Sequence, residues 1–220
     1  MSATNPALRT RLLAEFSASA FLLIAVVGSG IMADGLSGGN IGLALLANAV
    51  ATGAALYALI LVFGPVPGAH MNPAVTISAA WAGEIERRHI LPYIAAQITG
   101  AIVGVWLTHA MFDHTILEWG TKVRTGPAQW LAETIATIGL LGVIWGCKRY
   151  DTPTTASAVA AYITGAYWFT ASTSFANPAV TIARAFTDSF AGIRPEDVLG
   201  FIAAQMIAVV AIRIAVAAQK

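Results

Sequence analysis

Charged residues are scarce in this chain, and cysteine is almost absent. Lysine, arginine, aspartate and glutamate together make up 10% of its 220 residues, whereas 57% of the residues are hydrophobic. The mean hydropathy is +0.73. A soluble domain of this length needs more charge to cover its surface, so the chain is predicted to be a membrane protein in contact with lipid. The single cysteine, Cys147, excludes an internal disulfide and belongs to no metal-binding pattern.

The sequence also lacks the marks of several functional classes. The net charge is +1 and the basic residues are scattered, which argues against a nucleic-acid partner. No nucleophile, metal-ligand cluster or phosphate-binding loop indicates an enzyme, so we predict no catalytic residue, no cofactor and no metal site. Arg9 and Arg11 precede a hydrophobic run that is long enough to span a membrane and has no clear cleavage site. We therefore expect no cleaved signal peptide.

The sequence contains two Asn-Pro-Ala triplets, and the second begins 105 positions after the first. The triplets are Asn72-Pro73-Ala74, within GAHMNPAVTI, and Asn177-Pro178-Ala179, within TSFANPAVTIARAF. The apolar run after each triplet is too short to cross ~30 Å of hydrocarbon, which needs ~20 helical residues. Each run is therefore predicted to be half of a span. The shared NPAVTI hexapeptide in two hydrophobic halves indicates an internal duplication.

The hydrophobic profile predicts an all-α membrane protein with six transmembrane helices and two re-entrant half-helices. We expect one domain over residues 1–220, with a first repeat at about 8–112 and a second at about 127–218. The predicted spans are about 12–33, 41–63, 90–111, 128–147, 154–171 and 197–216. The half-helices begin at Asn72 and Asn177, where Asn suits the N-cap and Pro the first helical position.

Each repeat contains three spans and a half-span, so the two repeats must cross the membrane in opposite orientations. This is an inverted repeat, for which a site near the bilayer midplane is expected. Ala14-Glu15-Phe16 in the first span corresponds to Ala132-Glu133-Thr134 in the fourth. Ala95-Ala96-Gln97 in the third span corresponds to Ala203-Ala204-Gln205 in the sixth.

The basic residues predict the orientation, because cytoplasmic loops carry more lysine and arginine. With both termini in the cytoplasm, together with the loops after the first half-helix and after the fourth span, eight of the twelve basic residues lie inside. These eight are Arg9, Arg11, Arg87, Arg88, Lys148, Arg149, Arg213 and Lys220. The remaining four are Lys122, Arg124, Arg184 and Arg194. Both termini are therefore predicted to be cytoplasmic.

The two asparagines are predicted to mark a site for neutral, hydroxyl-bearing molecules. A half-helix that starts in mid-membrane directs unpaired N–H groups and a partial positive charge at that point, which disfavours cations. Non-helical backbone at membrane depth is tolerated only when it is buried in protein or faces a water-filled cavity. Its carbonyls can then accept hydrogen bonds from a solute. Alternatively, the asparagines serve only as caps. The loop residues expected beside the site are Gly68, Ala69, His70 and Thr173.

These features resemble the major intrinsic protein family of aquaporins and glycerol facilitators. The resemblance rests on GAHMNPAVT, the second NPAVT and the duplicated six-span layout, and it covers about Leu8 to Val216. It implies a right-handed helical bundle with a pore in each protomer, assembled as a homotetramer in a bacterial inner membrane. It also implies that Glu15 and Glu133 match the family's buried glutamates, which hold the re-entrant loops through backbone N–H groups. The alternative for an intramembrane carboxylate is a proton relay.

The outer constriction departs from the family's pattern. The residue three positions after the second motif's Asn is usually an arginine that lines this constriction, and here it is Val180. Counting back from the asparagines to the family's other filter positions gives Thr52, Gly165 and Ser174. Water-selective members place a bulky aromatic and a histidine at the first two positions, where this chain has Thr and Gly. We therefore expect a wide and neutral aperture, similar to that of bacterial channels with arginine-free filters that are associated with arsenic.

Arg184 lies one helical turn beyond Val180. At ~1.5 Å and ~100° per residue, this places Arg184 ~6 Å nearer the extracellular mouth and only ~40° around the helix. It is a candidate cation of a wider vestibule, where it could attract anionic or strongly polar solutes. The alternative is an interfacial arginine bonded to loop carbonyls or to Asp188.

The function predicted from the sequence is that of a passive membrane channel for small uncharged solutes. Glycerol-like polyols, arsenite as As(OH)₃, methylated arsenicals and water are the candidate solutes. Within the channel class the alternative is a water-selective aquaporin. A coupled secondary transporter also uses inverted repeats and broken helices, although it needs a titratable or ion-coordinating group where this chain has neutral Asn. A purely structural, junction-forming protein is a further alternative, and any solute flux disfavours it.

Overall fold

The structure is a computed structural model that describes residues 6–66 and 68–218. The described residues form eight α-helices and three short 3₁₀ turns, and they contain no strand. The helices are α1 (Leu8–Leu36), α2 (Ile41–Phe63), α3 (Pro73–Trp81), α4 (Ile90–Met111), α5 (Pro127–Gly146), α6 (Thr152–Phe169), α7 (Pro178–Ala183) and α8 (Pro195–Ala217). The predicted all-α architecture, with long helices and two short ones after the Asn-Pro-Ala motifs, is confirmed.

Five of the six long helices are apolar and long enough to cross a membrane: α1, α2, α4, α5 and α8. The sixth long helix, α6, falls outside this set. It has 18 residues and opens with the polar sequence Thr-Pro-Thr-Thr. α6 nevertheless packs within the bundle, where it makes an extensive contact with α2. Since α2 belongs to the first repeat and α6 to the second, this contact joins the two halves.

Within each repeat the first and last long helices pack together, α1 with α4 and α5 with α8. Glycine makes the α1–α4 approach possible. A Cβ atom at Gly100 would lie 2.2 Å from the backbone oxygen of Phe16, and one at Gly104 would lie 2.3 Å from that of Ala20. The Gly-x-x-x-Gly spacing therefore lets two membrane helices touch through their backbones. Substitution of either glycine would force α1 and α4 apart.

The short helices α3 and α7 begin inside the bundle at the two motifs. Asn72 and Asn177 are the N-caps and Pro73 and Pro178 follow them, as the sequence predicts. Both short helices pack on α4 and α8. A helix of 9 residues and one of 6 can each cross only part of the hydrocarbon core. Because the two start at neighbouring points and belong to opposite repeats, their N-termini face the same region of the bundle.

Candidate transmembrane pore

A cavity of about 620 Å³ lies between the two repeats. At one end it reaches the C-terminal parts of α3, α5 and α8, where Trp81, Trp145 and Arg213 border it. The other end is bordered by Ser174 and Arg184 and is called the outer end below. Asn72 and Asn177 both border the cavity between these ends. The two motifs are thus brought to one continuous space, as the inverted repeat predicts.

The two asparagine side chains clamp the opposing loops together. Asn72 Nδ2 donates to the carbonyl oxygen of Ala176 at 2.8 Å, and Asn177 Nδ2 donates to that of Met71 at 2.7 Å. Each Oδ1 accepts from the backbone of its own half-helix, at Ala74 and at Ala179, at 2.9 Å in both cases. Each Nδ2 carries two hydrogens, so one donor per Asn remains for a solute. The asparagines therefore act both as caps and as donors.

The loops before the motifs contain left-handed backbone at matching positions. In the first loop φ is +94° at Gly68, +48° at Ala69 and +49° at Met71; in the second it is +60° at Thr173, +51° at Ser174 and +48° at Ala176. Residues other than glycine rarely adopt this region, and each such residue costs on the order of 1 kcal/mol or more. The surrounding structure must therefore hold both loops in place.

Glu15 holds the first loop. Its Oε1 accepts from the backbone N–H of His70 at 2.8 Å, and its Oε2 accepts from that of Met71 at 2.7 Å. Gln97 Nε2 donates to the same carboxylate at 2.7 Å and to Thr76 Oγ1 at 2.8 Å. Glu15 and Gln97 are fully buried. The carboxylate thus accepts three N–H hydrogen bonds, which supports the bracing role predicted for it over a proton relay.

Glu133 holds the second loop with the same geometry. It accepts from the backbone N–H groups of Phe175 at 2.9 Å and Ala176 at 2.8 Å. Gln205 Nε2 donates to it at 2.7 Å and to Thr181 Oγ1 at 2.9 Å. From the sequence alone, Gln97 and Gln205 are predicted only as corresponding residues of the duplication. Their equivalent positions, beside the two glutamates in the repeat, were the signal that could have revealed this role.

Three of the four predicted filter residues border the cavity: Thr52, Ser174 and Val180. Gly165 does not border it. The residues that α6 contributes are spaced by four: Thr155, Val159, Ile163 and Tyr167. Two residues correspond to a rotation of ~200° around a helix, so Gly165 lies on another side of α6 from Tyr167. The structure therefore places Tyr167, two positions after Gly165, at the cavity, where the count from Asn177 predicts Gly165. No motif in α6 fixes that count.

Tyr167 is the aromatic residue that sequence reasoning missed at the outer end of the cavity. Its hydroxyl lies 3.3 Å from Thr52 Oγ1, and either oxygen can donate. The side chains of Thr52 and Tyr167 are almost fully buried. The outer end is consequently less open on the α6 side than a glycine would make it, and it offers hydroxyl groups to a solute.

Of the four loop residues predicted beside the site, three border the cavity and one does not. Gly68, Ala69 and His70 border the cavity, whereas Thr173 does not. His70 Nδ1 lies 3.1 Å from Thr76 Oγ1. No group of three or more potential metal ligands occurs within the described ranges. Thr173 instead lies beside Arg124, with 3.4 Å between Thr173 Oγ1 and Arg124 Nη1.

Arg184 borders the outer end of the cavity and is 2% exposed. Its Nε donates to the carbonyl oxygen of Ala191, and its guanidinium carbon lies 3.4 Å from the centre of the Phe175 ring. Asp188 is not its partner, because Asp188 Oδ1 accepts from Thr121 instead. The vestibule role therefore remains a prediction. Of its alternative, the bond to a loop carbonyl is present, through Ala191, and the bond to Asp188 is not.

A second buried arginine, Arg124, lies near the same ring. Its guanidinium carbon is 5.0 Å from the centre of the Phe175 ring, and its Nε and Nη1 donate to the carbonyl oxygens of Gly192 and Ser172 at 2.9 and 3.1 Å. Burial lowers the pKa of Arg124 to about 10, so this group stays charged at neutral pH. The outer end of the cavity is therefore electropositive.

Comparisons with known proteins agree with this architecture. The model of the family described as "Major intrinsic protein" matches residues 2–169, which include the first Asn-Pro-Ala motif. Aquaglyceroporin AqpS of Rhizobium meliloti (strain 1021) is 50% identical over 203 residues, which cover 92% of this chain and 87% of that protein. Aquaporin Z of Bradyrhizobium diazoefficiens is 30% identical over 154 residues, which cover 64% of this chain and 63% of that protein.

The fold also matches a solved structure. The X-ray structure of the aquaglyceroporin from Plasmodium falciparum aligns with a TM-score of 0.73 over 94% of both chains, at 21% sequence identity. The resemblance drawn from the two motifs is thus confirmed by sequence and by fold. The chain belongs to the major intrinsic protein family.

Proposed function

We propose that this protein is a passive channel through which small uncharged solutes cross the membrane. Its solutes are glycerol-like polyols, neutral metalloid hydroxides such as arsenite, methylated arsenicals, and water. The observation that carries this proposal is the cavity between the repeats, which combines the Asn72 and Asn177 donors with an outer end where Val180 replaces the expected arginine. The name of the relative AqpS, an aquaglyceroporin, supports a solute range wider than water.

The chemistry of the lining suits a neutral polyol. The cavity lining combines apolar residues, with Leu22, Val26, Ile163 and Val180 among them, with polar groups of the loops. A solute that carries hydroxyl groups on one side can exchange water for these polar groups while its carbon face contacts the apolar wall. Cations gain no such exchange, because the helix N-termini and Arg184 oppose them.

The environment of the channel follows from its surface and its charges. Large apolar side chains such as Leu91, Leu199 and Ile214 are exposed on the outside of the helix bundle, where lipid is the matching solvent. A homotetramer, a bacterial inner membrane and cytoplasmic termini remain parts of the proposal. The orientation rests on the eight basic residues counted on one side.

The test compares water, glycerol and arsenite in stopped-flow light scattering with purified protein in liposomes. The proposal predicts glycerol and arsenite fluxes above those of protein-free liposomes, linear in solute concentration and independent of proton and sodium gradients. Saturating flux that follows an ion gradient would identify a coupled transporter. Water flux without glycerol flux would identify a water-selective channel, and the absence of all flux a structural role.

A further inference from the structure

The Arg184 guanidinium has donor capacity that the protein does not use. Within residues 6–66 and 68–218, its only hydrogen bond is the one that Nε donates to the carbonyl oxygen of Ala191. Neither terminal nitrogen, Nη1 or Nη2, donates to a protein acceptor in these ranges. The same described ranges place no carboxylate within 4 Å of it. A buried cation without an ionic partner is costly, and here that cation borders a cavity wide enough for a ligand.

The carboxylate of Glu133, on α5, does not pair with this charge. Glu133 lies behind the second loop, where its two oxygens are occupied by the N–H groups of Phe175 and Ala176 and by Gln205. Arg124 adds a second positive charge beside the same aromatic ring. Arg124 does not border the cavity, and its Nε and Nη1 are bonded to loop carbonyls. Of these two arginines, only Arg184 therefore presents unpaired donors to the cavity.

A second polar group at this end of the cavity also lacks a partner. Ser174 borders the cavity and is 3% exposed, and its hydroxyl makes no hydrogen bond within the described part of the chain. A buried hydroxyl without a partner costs free energy that a ligand can recover. The Thr52 and Tyr167 hydroxyls border the same cavity and form one further pair.

We propose that Arg184, Ser174 and the Thr52–Tyr167 pair form a binding site for small oxyanions at the outer end of the pore. The guanidinium fork binds two oxygens of one anion, since its planar donors match the spacing of carboxylate or sulfonate oxygens. The Ser174 hydroxyl donates to another oxygen, and the methyl group or hydrogen of the anion contacts the apolar wall near Val180. The class of ligand is a monoanion with two or three terminal oxygens and at most a small alkyl group.

This site deepens the proposed function and rests on it, because it lies within the pore of that channel. A bound anion occupies the route that a neutral solute takes, so it slows glycerol flux from the outer side. It also makes the outer end of the pore selective by charge, although Val180 leaves the usual position of the fixed charge empty. Weak acids whose anion fits are thereby distinguished from polyols of equal size.

Methanesulfonate is the probe, because it remains an anion at all accessible pH values. Equilibrium dialysis of the purified protein with radiolabelled methanesulfonate measures binding without any need for flux. The same anion is then added on the outer side of liposomes while glycerol flux is recorded. Dimethyl sulfone, which is similar in size but uncharged, is the control ligand. We expect saturable binding of methanesulfonate, slower glycerol flux in its presence, and no competition from the sulfone.

Three variants locate the site. Arg184→Gln is expected to weaken binding by roughly tenfold or more, because it removes the charge-assisted hydrogen bonds of the guanidinium fork. Ser174→Ala is expected to weaken it by a few-fold while the guanidinium remains. Lys122→Gln is the matched control, because it removes the same charge from the outer surface at a residue that does not border the cavity. The affinity of Lys122→Gln for methanesulfonate should stay within about twofold of that of the wild type.

The outcomes separate this site from the channel itself. Unsaturable binding, equal competition by the sulfone, or wild-type affinity in Arg184→Gln would overturn the site even if glycerol flux is intact. If glycerol flux is absent, the proposed function fails while the dialysis result still decides the site. Should Arg184→Gln not fold, as judged by gel filtration, Ser174→Ala decides in its place, and unchanged affinity in that variant also overturns the site.

Discussion

The two re-entrant loops share one framework but present different side chains to the cavity. Residues 105 positions apart correspond, and in both loops an Asn caps the half-helix while a Glu and a Gln hold the backbone. Among the corresponding pairs in which both residues border the cavity, three differ: Ala69 and Ser174, His70 and Phe175, and Ala79 and Arg184. The framework is therefore symmetric, whereas Phe175 and Arg184 give the second loop and its half-helix an aromatic ring and a charge that the first lacks at those positions.

The residues that hold the pore backbone in place therefore differ from the residues that select the solute. Val75 and Val180 correspond and are identical, so the position that usually carries the filter arginine does not distinguish the two halves. Along the half-helices the difference in charge appears one turn later, at Ala79 and Arg184. Selectivity can thus change at the lining without disturbing the buried glutamates, since these contact backbone rather than solute.

The largest expected effect is the loss of a brace. Glu133→Ala leaves two backbone N–H groups and the Gln205 amide without their acceptor in a buried site. At ~1–3 kcal/mol for each unsatisfied group, the free energy of unfolding should fall by ~3 kcal/mol or more. Glu15→Ala should cost the same, because its contacts match. The unfolding temperature in detergent measures the loss of stability in both variants, and gel filtration shows whether each variant is folded beforehand.

Glutamine is the matched control at each position, since it keeps one acceptor oxygen and should be milder than alanine. A symmetric framework requires the two alanine variants to behave alike. Wild-type thermal stability in either variant would show that the corresponding loop is held by other contacts.

The next effect concerns the width of the outer end. Thr52→Trp places a large ring in the cavity beside Tyr167 and should reduce glycerol flux by about tenfold or more, equivalent to ~1.4 kcal/mol in the barrier. Gly165→Trp is the matched control, because a Cβ there meets only the Phe169 ring, at 3.6 Å. It should leave glycerol flux near that of the wild type. Blocked flux in Gly165→Trp with normal flux in Thr52→Trp would restore Gly165 as the filter residue.

A smaller effect is expected on cation exclusion. Asn177→Asp replaces the donor to Met71 with a carboxylate at the tip of α7, and Asn72→Asp does the same at the tip of α3. A negative charge there offsets the partial positive charge of the helix N-termini, so potassium leak through liposomes should increase in both variants. Asn177→Ala and Asn72→Ala are the matched controls, because they remove the same donors without adding a negative charge. Folded aspartate variants that stay as tight as the wild type would show that other groups exclude cations.

The smallest effect comes from the surplus of positive charge in the outer half. Burial, followed by the charges of Arg124 and Arg184, lowers the pKa of Lys122 from 10.5 to about 8. The unfolded chain therefore binds more protons between about pH 8 and 10.5, and the contribution of this group to stability rises with pH over that window. The unfolding temperature of the wild type should rise relative to Lys122→Gln between pH 7 and 10. A constant or falling difference would contradict the lowered pKa.

Much of the fold could be predicted from the sequence, because lipid requires long apolar helices and the motifs mark where these are interrupted. The bounds of α2 and α4 equal the predicted spans 41–63 and 90–111. Helix α1 is longer than predicted, since it begins at Leu8 and ends at Leu36, beyond the most apolar part. Hydropathy identifies the segment inside the lipid, but a helix continues into the polar region wherever its backbone bonds are satisfied.

The site was predicted less completely, for a different physical reason. The motif residues and glutamates are fixed by local sequence, whereas Tyr167 and Arg124 reach the outer end through contacts with residues far away in the chain. Tyr167 pairs with Thr52 across the two repeats, and Arg124 extends from the linker between them to Ser172. Only the rotation of α6 and the path of the linker decide these contacts, and no local motif encodes either.

The central claim is that the outer lining, freed of arginine at position 180, lets solutes larger than water pass. The most direct test is the ratio of glycerol to water permeability in liposomes that contain the wild type, Val180→Arg or Val180→Met, the last being a long neutral control that separates size from charge. We predict that Val180→Arg lowers this ratio by about tenfold or more, with Val180→Met between it and the wild type. A folded Val180→Arg channel with an unchanged ratio would contradict the claim.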